Sequence, residues 1–204
     1  MRAIDPAEAA HLAARKPIII RHMLWISARS RATGAVETLG LWDGEDHQEI
    51  SVAGLTRLYY GAGGLLSIDQ IGHAVGTDVR RVRAVLAPMA PEVEMAIRGY
   101  DPRTAPVEIH RMIINPETMA PVSAPTRLLK GRISDLELIT PDLEGGDAEC
   151  RITIATNAVE GTRGLALKKS DESQKLRTTA DGKQDRFYQY ADVAGKVPVL
   201  WGEK

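Results

Sequence analysis

The chain has 204 residues, 44% of them hydrophobic, and a formal net charge of −1. That is enough apolar material for a core, and the balance of charge excludes the basic excess that would draw a chain onto DNA or an anionic membrane. A single cysteine, Cys150, excludes an intrachain disulfide and a cysteine-rich metal site.

The N-terminal stretch reads as a short helix. Asp5 is a good N-cap, Pro6 suits the first helical position, and Glu8 follows three residues after Asp5. Ala9, Leu12 and Ala13 make a narrow apolar stripe, Pro17 stops the helix, and so small a helix is expected to dock on something. The stretch lacks the apolar h-region of a secretory signal, and no apolar run is long enough to span a bilayer.

Residues 18–30 (IIIRHMLWISARS) are rich in β-branched and aromatic side chains and read as a strand. Ile18, Ile20, His22, Leu24 and Ile26 fall on one face; Ile19, Arg21, Met23, Trp25 and Ser27 fall on the other. Both faces carry apolar groups, so the strand is expected to be covered on both. Gly34 turns the chain, Val36 to Trp42 returns as a second strand, and Asp43-Gly44 turns it again.

Glycine breaks residues 57–87 into three β-like pieces, RLYYG, LLSIDQIGHAVG and VRRVRAVLA. In the last, Val79, Arg81, Arg83 and Val85 oppose Arg80, Val82, Ala84 and Leu86, so one face is strongly apolar and the other largely basic. Glu92 to Gly99 suits one or two helical turns with Val93 and Ile97 on one side. Residues 107–115 (VEIHRMIIN) and 128–140 (LLKGRISDLELIT) read as strands. Residues 147–155 show the cleanest period of two, with Cys150, Ile152 and Ile154 pointing one way and Glu149, Arg151 and Thr153 the other.

Strands joined by short turns predict a mainly β (β-rich α+β) fold: an antiparallel β-sandwich or barrel-like domain with one or two short helices. The expected layout is a helix over residues 1–17, a β-rich domain over 18–159 with a helical insertion near 88–104, and an extended C-terminal arm over 160–204. From Glu160 the apolar periodicity stops, and the polar run KKSDESQKLRTTADGKQDR leads to Phe187, Tyr188, Tyr190 and Trp201. Those aromatic groups predict an arm that docks on its own core or on a neighbouring copy.

Motifs that carry chemistry are missing. The five histidines show neither HxH nor HxxxH spacing, and there is no HExxH. His110, beside Glu108, reads as a half-buried strand residue with a local charge partner. Cys150 reads as a buried structural thiol. The GAGG at residues 61–64 lacks the Lys-Ser/Thr of a phosphate loop and reads as a turn. The arginines near residue 80 lack the interleaved aromatics of a nucleic-acid surface, and read as a solvated face or an intersubunit ion-pair site. Neither an enzyme nor a cofactor is expected.

Three stretches together carry a family resemblance: the short helix with RHMLWISA; the block SIDQIGHAVGTDV, VRAVLAPMAPEVEMAIRG and PVEIHRMIIN; and the strand pair GRISDLELITPDLEGGDAECRITIATNA followed by a polar tail. In these the chain resembles the tail-tip hub proteins of long-tailed (siphovirus-type) bacteriophages, the group of the phage lambda tail-tip protein L and its gene-transfer-agent relatives. The resemblance implies a structural role in the virion: a homo-oligomeric ring, a trimer in the usual case, joining the tail tube to the central spike or receptor-binding apparatus. Its implied partners are copies of itself and neighbouring tail proteins (distal tail protein, central hub or fibre, tape measure). It also implies a subunit interface over the second face of the first strand. The candidate interface residues are then Trp25, Arg80, Arg81, Arg83, Leu165, Phe187, Tyr188, Tyr190 and Trp201. The lambda member carries a cysteine cluster suited to an iron–sulfur centre; with Cys150 alone, no cluster is expected here. From another class, Trp25, Trp42 and Trp201 suggest a sugar platform, and hence a β-sandwich module for host-surface glycans.

Overall fold

In the computed structural model, β1 (Ile19–Ser30) and β2 (Val36–Trp42) form the expected hairpin, in register from Met23↔Trp42 to Arg29↔Val36. The structure describes residues 4–72, 78–140, 148–158, 170–178 and 181–190. The chain divides into two compact units, residues 1–162 and 163–204.

The first unit is mainly β. Its further strands are β3 (Gln48–Val52), β4 (Leu55–Tyr59), β5 (Leu65–Ile68), β6 (Arg81–Leu86), β7 (Tyr100–Asp101), β8 (Pro106–Asn115), β9 (Ala120–Pro121), β10 (Thr126–Ile139) and β11 (Glu149–Thr156). One antiparallel sheet runs in the order β2-β1-β8-β10-β11-β6-β5, with β7 beside β1 and β9 beside β8. The sheet curls. Leu39 and Leu41 from one end and Leu65 from the other share a core with Leu24, Ile26, Val107, Ile109, Ile133, Ile152 and Ile154. Tyr60, just ahead of β5, exchanges backbone hydrogen bonds with β2 at Gly40 and Trp42 (2.9 and 3.0 Å), which draws the two ends together.

The hairpin of β3 and β4 is a small second layer. Its turn has positive φ at Ala53 (51°) and Gly54 (81°), the geometry that matches the twist of paired strands. Ile50, Val52 and Tyr59 pack with Met23, Trp42, Met112 and Ile114 on the sheet's outer face. The second face of β1 is thus covered by this chain's own hairpin, which supplies the apolar contact that the resemblance ascribes to a subunit interface. Gly40 permits the close approach, since a Cβ there would run into the Leu58 carbonyl oxygen and lie 2.9 Å from the Trp25 ring. Gly40→Ala is expected to destabilise the protein by about 2 kcal/mol through overpacking. Urea unfolding checks this, and a loss below about 0.5 kcal/mol, the ordinary surface range, would contradict it.

Among the described residues, two helices flank the sheet. α1 (Pro6–Ala13) is capped as expected, with the Asp5 carboxylate accepting from the Ala7 N–H at 2.8 Å. Its docking differs from the expectation. Ala9, Leu12 and Ala13 are exposed, and the buried residue is Glu8, which pairs with Arg111 of β8. A charge-assisted pair therefore seats the helix, because a buried carboxylate costs several kcal/mol unless a cation meets it. α2 (Pro91–Gly99) lays Val93, Ala96 and Ile97 on the core, as its spacing predicts.

In the second unit, the described residues are not simply an extended arm. Ser170 caps α3 (Asp171–Lys175) by accepting from the Ser173 N–H at 3.3 Å. Lys175 pairs with Asp171 and Glu172 at 2.7 Å each, and Thr178 bridges to Gln184. Local capping and i,i+4 pairing give this polar stretch structure that its lack of apolar periodicity conceals.

Candidate functional site

Strand alternation divides the outer face of the sheet into two halves. Over β1, β2 and β8 it carries Met23, Trp25, Trp42 and Met112, roofed by the β3–β4 hairpin. Over β10, β11 and β6 it carries Lys130, Asp135, Arg151, Thr153, Arg81 and Arg83. Arg81 and Arg83 line an open cleft of about 500 Å³ with Asp69, Ser134, Asp135 and Thr153. Arg80 does not join them. It precedes β6, its backbone N–H meets the Thr156 hydroxyl at 3.2 Å, and its guanidinium donates to the Gly72 carbonyl at 2.9 Å.

The other proposed interface residues are divided between the two units. Trp25 is half-buried, with the Arg57 guanidinium 4.8 Å from its ring centre and the Tyr59 ring 5.4 Å away. Phe187 and Tyr188 make an edge-to-face pair at 5.2 Å, and Phe187 and Tyr190 are 79% and 70% exposed. Leu165 and Trp201 lie outside the described residues. Trp42 is buried and its indole N–H donates to the Asp46 carbonyl at 2.8 Å, so its ring is not presented as a sugar platform.

At the seam between the two halves sits a polar centre of which the sequence announces only the His110–Glu108 pair. Glu108 of β8 takes Arg57 of β4 at 3.0 Å, Arg127 of β10 at 3.5 Å and Lys130 at 3.7 Å, with His110 Nε2 at 3.9 Å. Burial pushes the Glu108 carboxyl upward, but the hydrogen bond and charge of Arg57, with His110 and Lys130, outweigh it and hold the group below the usual carboxylate range. His110 is buried, not half-buried, and its Nδ1 has no hydrogen-bond partner among the described residues. Burial, reinforced by Arg57 and Arg127 and opposed by Glu108, lowers its pKa to about 4. The imidazole is therefore neutral at neutral pH.

The one signal for this centre was the outward stripe of β8: Glu108 and His110 precede Met112 and Ile114 on an apolar face. An acid so placed needs a cation, but Arg57, 51 residues away, is brought to it by an unforeseen hairpin.

As chemistry, the described residues offer little. Cys150 lies in the core, where burial pushes its thiol up to about 11 and so keeps it from being a nucleophile at neutral pH. His22–Asp43 (3.5 Å), His47–Glu92 (3.8 Å) and His110–Glu108 are separate pairs. No cluster of three or more His, Cys, Asp or Glu among the described residues is placed to hold a metal ion, and no described helix is long and apolar enough to cross a membrane. No protein-family model matches the chain, and no curated protein matches it.

Proposed function

We propose that this chain is a structural component of a bacteriophage tail tip, one copy of a homo-oligomeric ring that connects the tail tube to the central spike or receptor-binding apparatus. Its partners are then further copies of itself and adjoining tail proteins, and its place is the virion.

One observation carries the assembly part. The second unit presents Leu176, Phe187 and Tyr190 at 74%, 79% and 70% exposure. Segments of about 40 residues rarely hold a core unaided, and exposed aromatic side chains are the usual anchors of protein interfaces. The tail-tip part rests on the sequence resemblance together with the order of a curled β domain followed by a separate unit. The cleft lined by Arg81 and Arg83 offers a second, charged contact area suited to fixing register between copies.

The double substitution Phe187→Ser/Tyr190→Ser tests this. Each aromatic anchor is worth about 2 kcal/mol of association, so the variant is expected to stay monomeric where the native chain forms rings. Its first unit should keep its unfolding midpoint, and deletion of residues 165–204 should act in the same way. Sedimentation velocity reads both. A variant that still enters rings would overturn the assignment of this unit as the docking element.

A further inference from the structure

β2 ends the sheet, and part of its outer edge is unpaired. At the two ends of the β1–β2 hairpin, the Ser30 N–H donates to the Ala35 carbonyl at 2.8 Å and the Asp43 N–H to the His22 carbonyl at 3.2 Å. Bonded and non-bonded pairs alternate along an antiparallel ladder, so the bonded pairs between these ends are Ala28–Glu37, Ile26–Leu39 and Leu24–Leu41. Val36, Thr38, Gly40 and Trp42 therefore turn their N–H and C=O groups away from β1. Tyr60 takes the groups of Gly40 and Trp42. Those of Val36 and Thr38 have no hydrogen-bond partner among the described residues, and both residues are exposed.

A cavity of about 40 Å³ meets this stretch of edge at Glu37, Thr38 and Leu39. It is lined mainly by apolar side chains, among them Val93, Ala96 and Ile97 of α2. The exposed Glu37 carboxylate also lines it and accepts from the Tyr100 hydroxyl at 2.6 Å. The cavity is far smaller than the ~150 Å³ that takes a benzene ring, so it suits the end of an aliphatic side chain.

Unpaired edge groups are a template for a further strand. A second copy of β2 fits poorly. Antiparallel pairing through all four groups sets Val36 of one copy against Thr38 of the other, and so brings the two Glu37 carboxylates directly opposite each other, which is repulsive. A basic residue at that position turns the repulsion into attraction. Residues two apart on a strand share a face, so the position opposite Leu39 lies on the cavity side together with the one opposite Glu37.

We propose that the β2 edge at Val36 and Thr38 binds an extended segment of another protein by antiparallel strand addition. The segment carries a small aliphatic residue opposite Leu39, seated in the cavity, and Lys or Arg two positions later, opposite Glu37. The edge belongs to the first unit, whereas Phe187 and Tyr190 belong to the second, and strand addition needs no ring.

Amide NMR shifts of the isotope-labelled full chain test this with the end-blocked hexapeptide Thr-Val-Thr-Lys-Thr-Thr. Saturable shifts are expected at the Val36 and Thr38 amides. Exchanging the peptide's Lys for Glu should weaken binding about fivefold, the difference between a cross-strand ion pair and a like-charge pair. Glu37→Lys, a change at an exposed position, should reverse that preference. Exchanging the peptide's Val for Phe should also weaken binding, because a ring overfills the cavity. Absence of saturable shifts at Val36 and Thr38, equal affinity for the Lys and Glu peptides in both proteins, or a preference for Phe would overturn the proposal. Shifts at these two amides that follow protein concentration without peptide would put a second copy on the edge and overturn it as well.

Discussion

Glu108→Ala is expected to cost about 3 kcal/mol of stability, the lower end of the range for removing one partner of a buried ion pair, because both groups keep 16% exposure. The substitution leaves Arg57, only 16% exposed and lying against the Trp25 ring, without its carboxylate. It also sets Arg127 and Lys130 beside Arg57 with no anion between them. Each of these is a desolvation or repulsion penalty, not merely a lost contact. The double variant Arg57→Met/Glu108→Met should recover most of the loss, because an apolar pair of similar size continues the packing of Trp25 and Tyr59. Guanidinium chloride unfolding of the single and double variants measures both effects. A Glu108→Ala cost below about 1 kcal/mol, the range of exposed ion pairs, would mean that water screens the centre.

Acid should unfold the protein earlier than its carboxylates alone would require. His110 takes up a proton at about 4 when folded, against 6.5 for an ordinary histidine. Between those values the unfolded chain binds the proton and the folded chain does not, so stability falls as pH falls through that window. The contribution is complete above pH 6.5 and is lost by about pH 4, on the order of 3 kcal/mol in total. Glu108, whose pKa is depressed, adds a loss of the same sign below the ordinary carboxylate value. Unfolding free energy measured from pH 7 to pH 4 should show this slope. His110→Leu should flatten the upper part of it, between pH 6.5 and about pH 5, where carboxylates contribute little. An identical slope in the variant would show that His110 is not the group responsible.

Much of the fold is legible in local sequence. The period of two in Cys150, Ile152 and Ile154 and in Val82, Ala84 and Leu86 places those residues in the core, where they lie buried. Gly34 and the β-branched run before it give the β1–β2 hairpin, and Val93 and Ile97 give the inner face of α2. The β3–β4 hairpin escaped because its turn is Ala53-Gly54, and alanine gives no warning of a positive φ. With it went the cover of Trp25 and the source of Arg57. The docking of α1 is not legible for a related reason. Its apolar stripe is local, whereas the Arg111 that captures Glu8 lies 103 residues further on. Glu108 shows the same limit from the other side. The local neighbour His110 was visible, but the shorter contact comes from Arg57 on a different layer. Patterns within an element report which face is buried; they do not report which distant charge arrives there.

The proposed function rests on self-association, and the mass and symmetry of the purified full-length chain test that most directly. Electron microscopy with mass measurement across a concentration series is expected to show a closed ring of identical copies, dependent on Phe187 and Tyr190. A monodisperse monomer that persists at the highest concentration would contradict it.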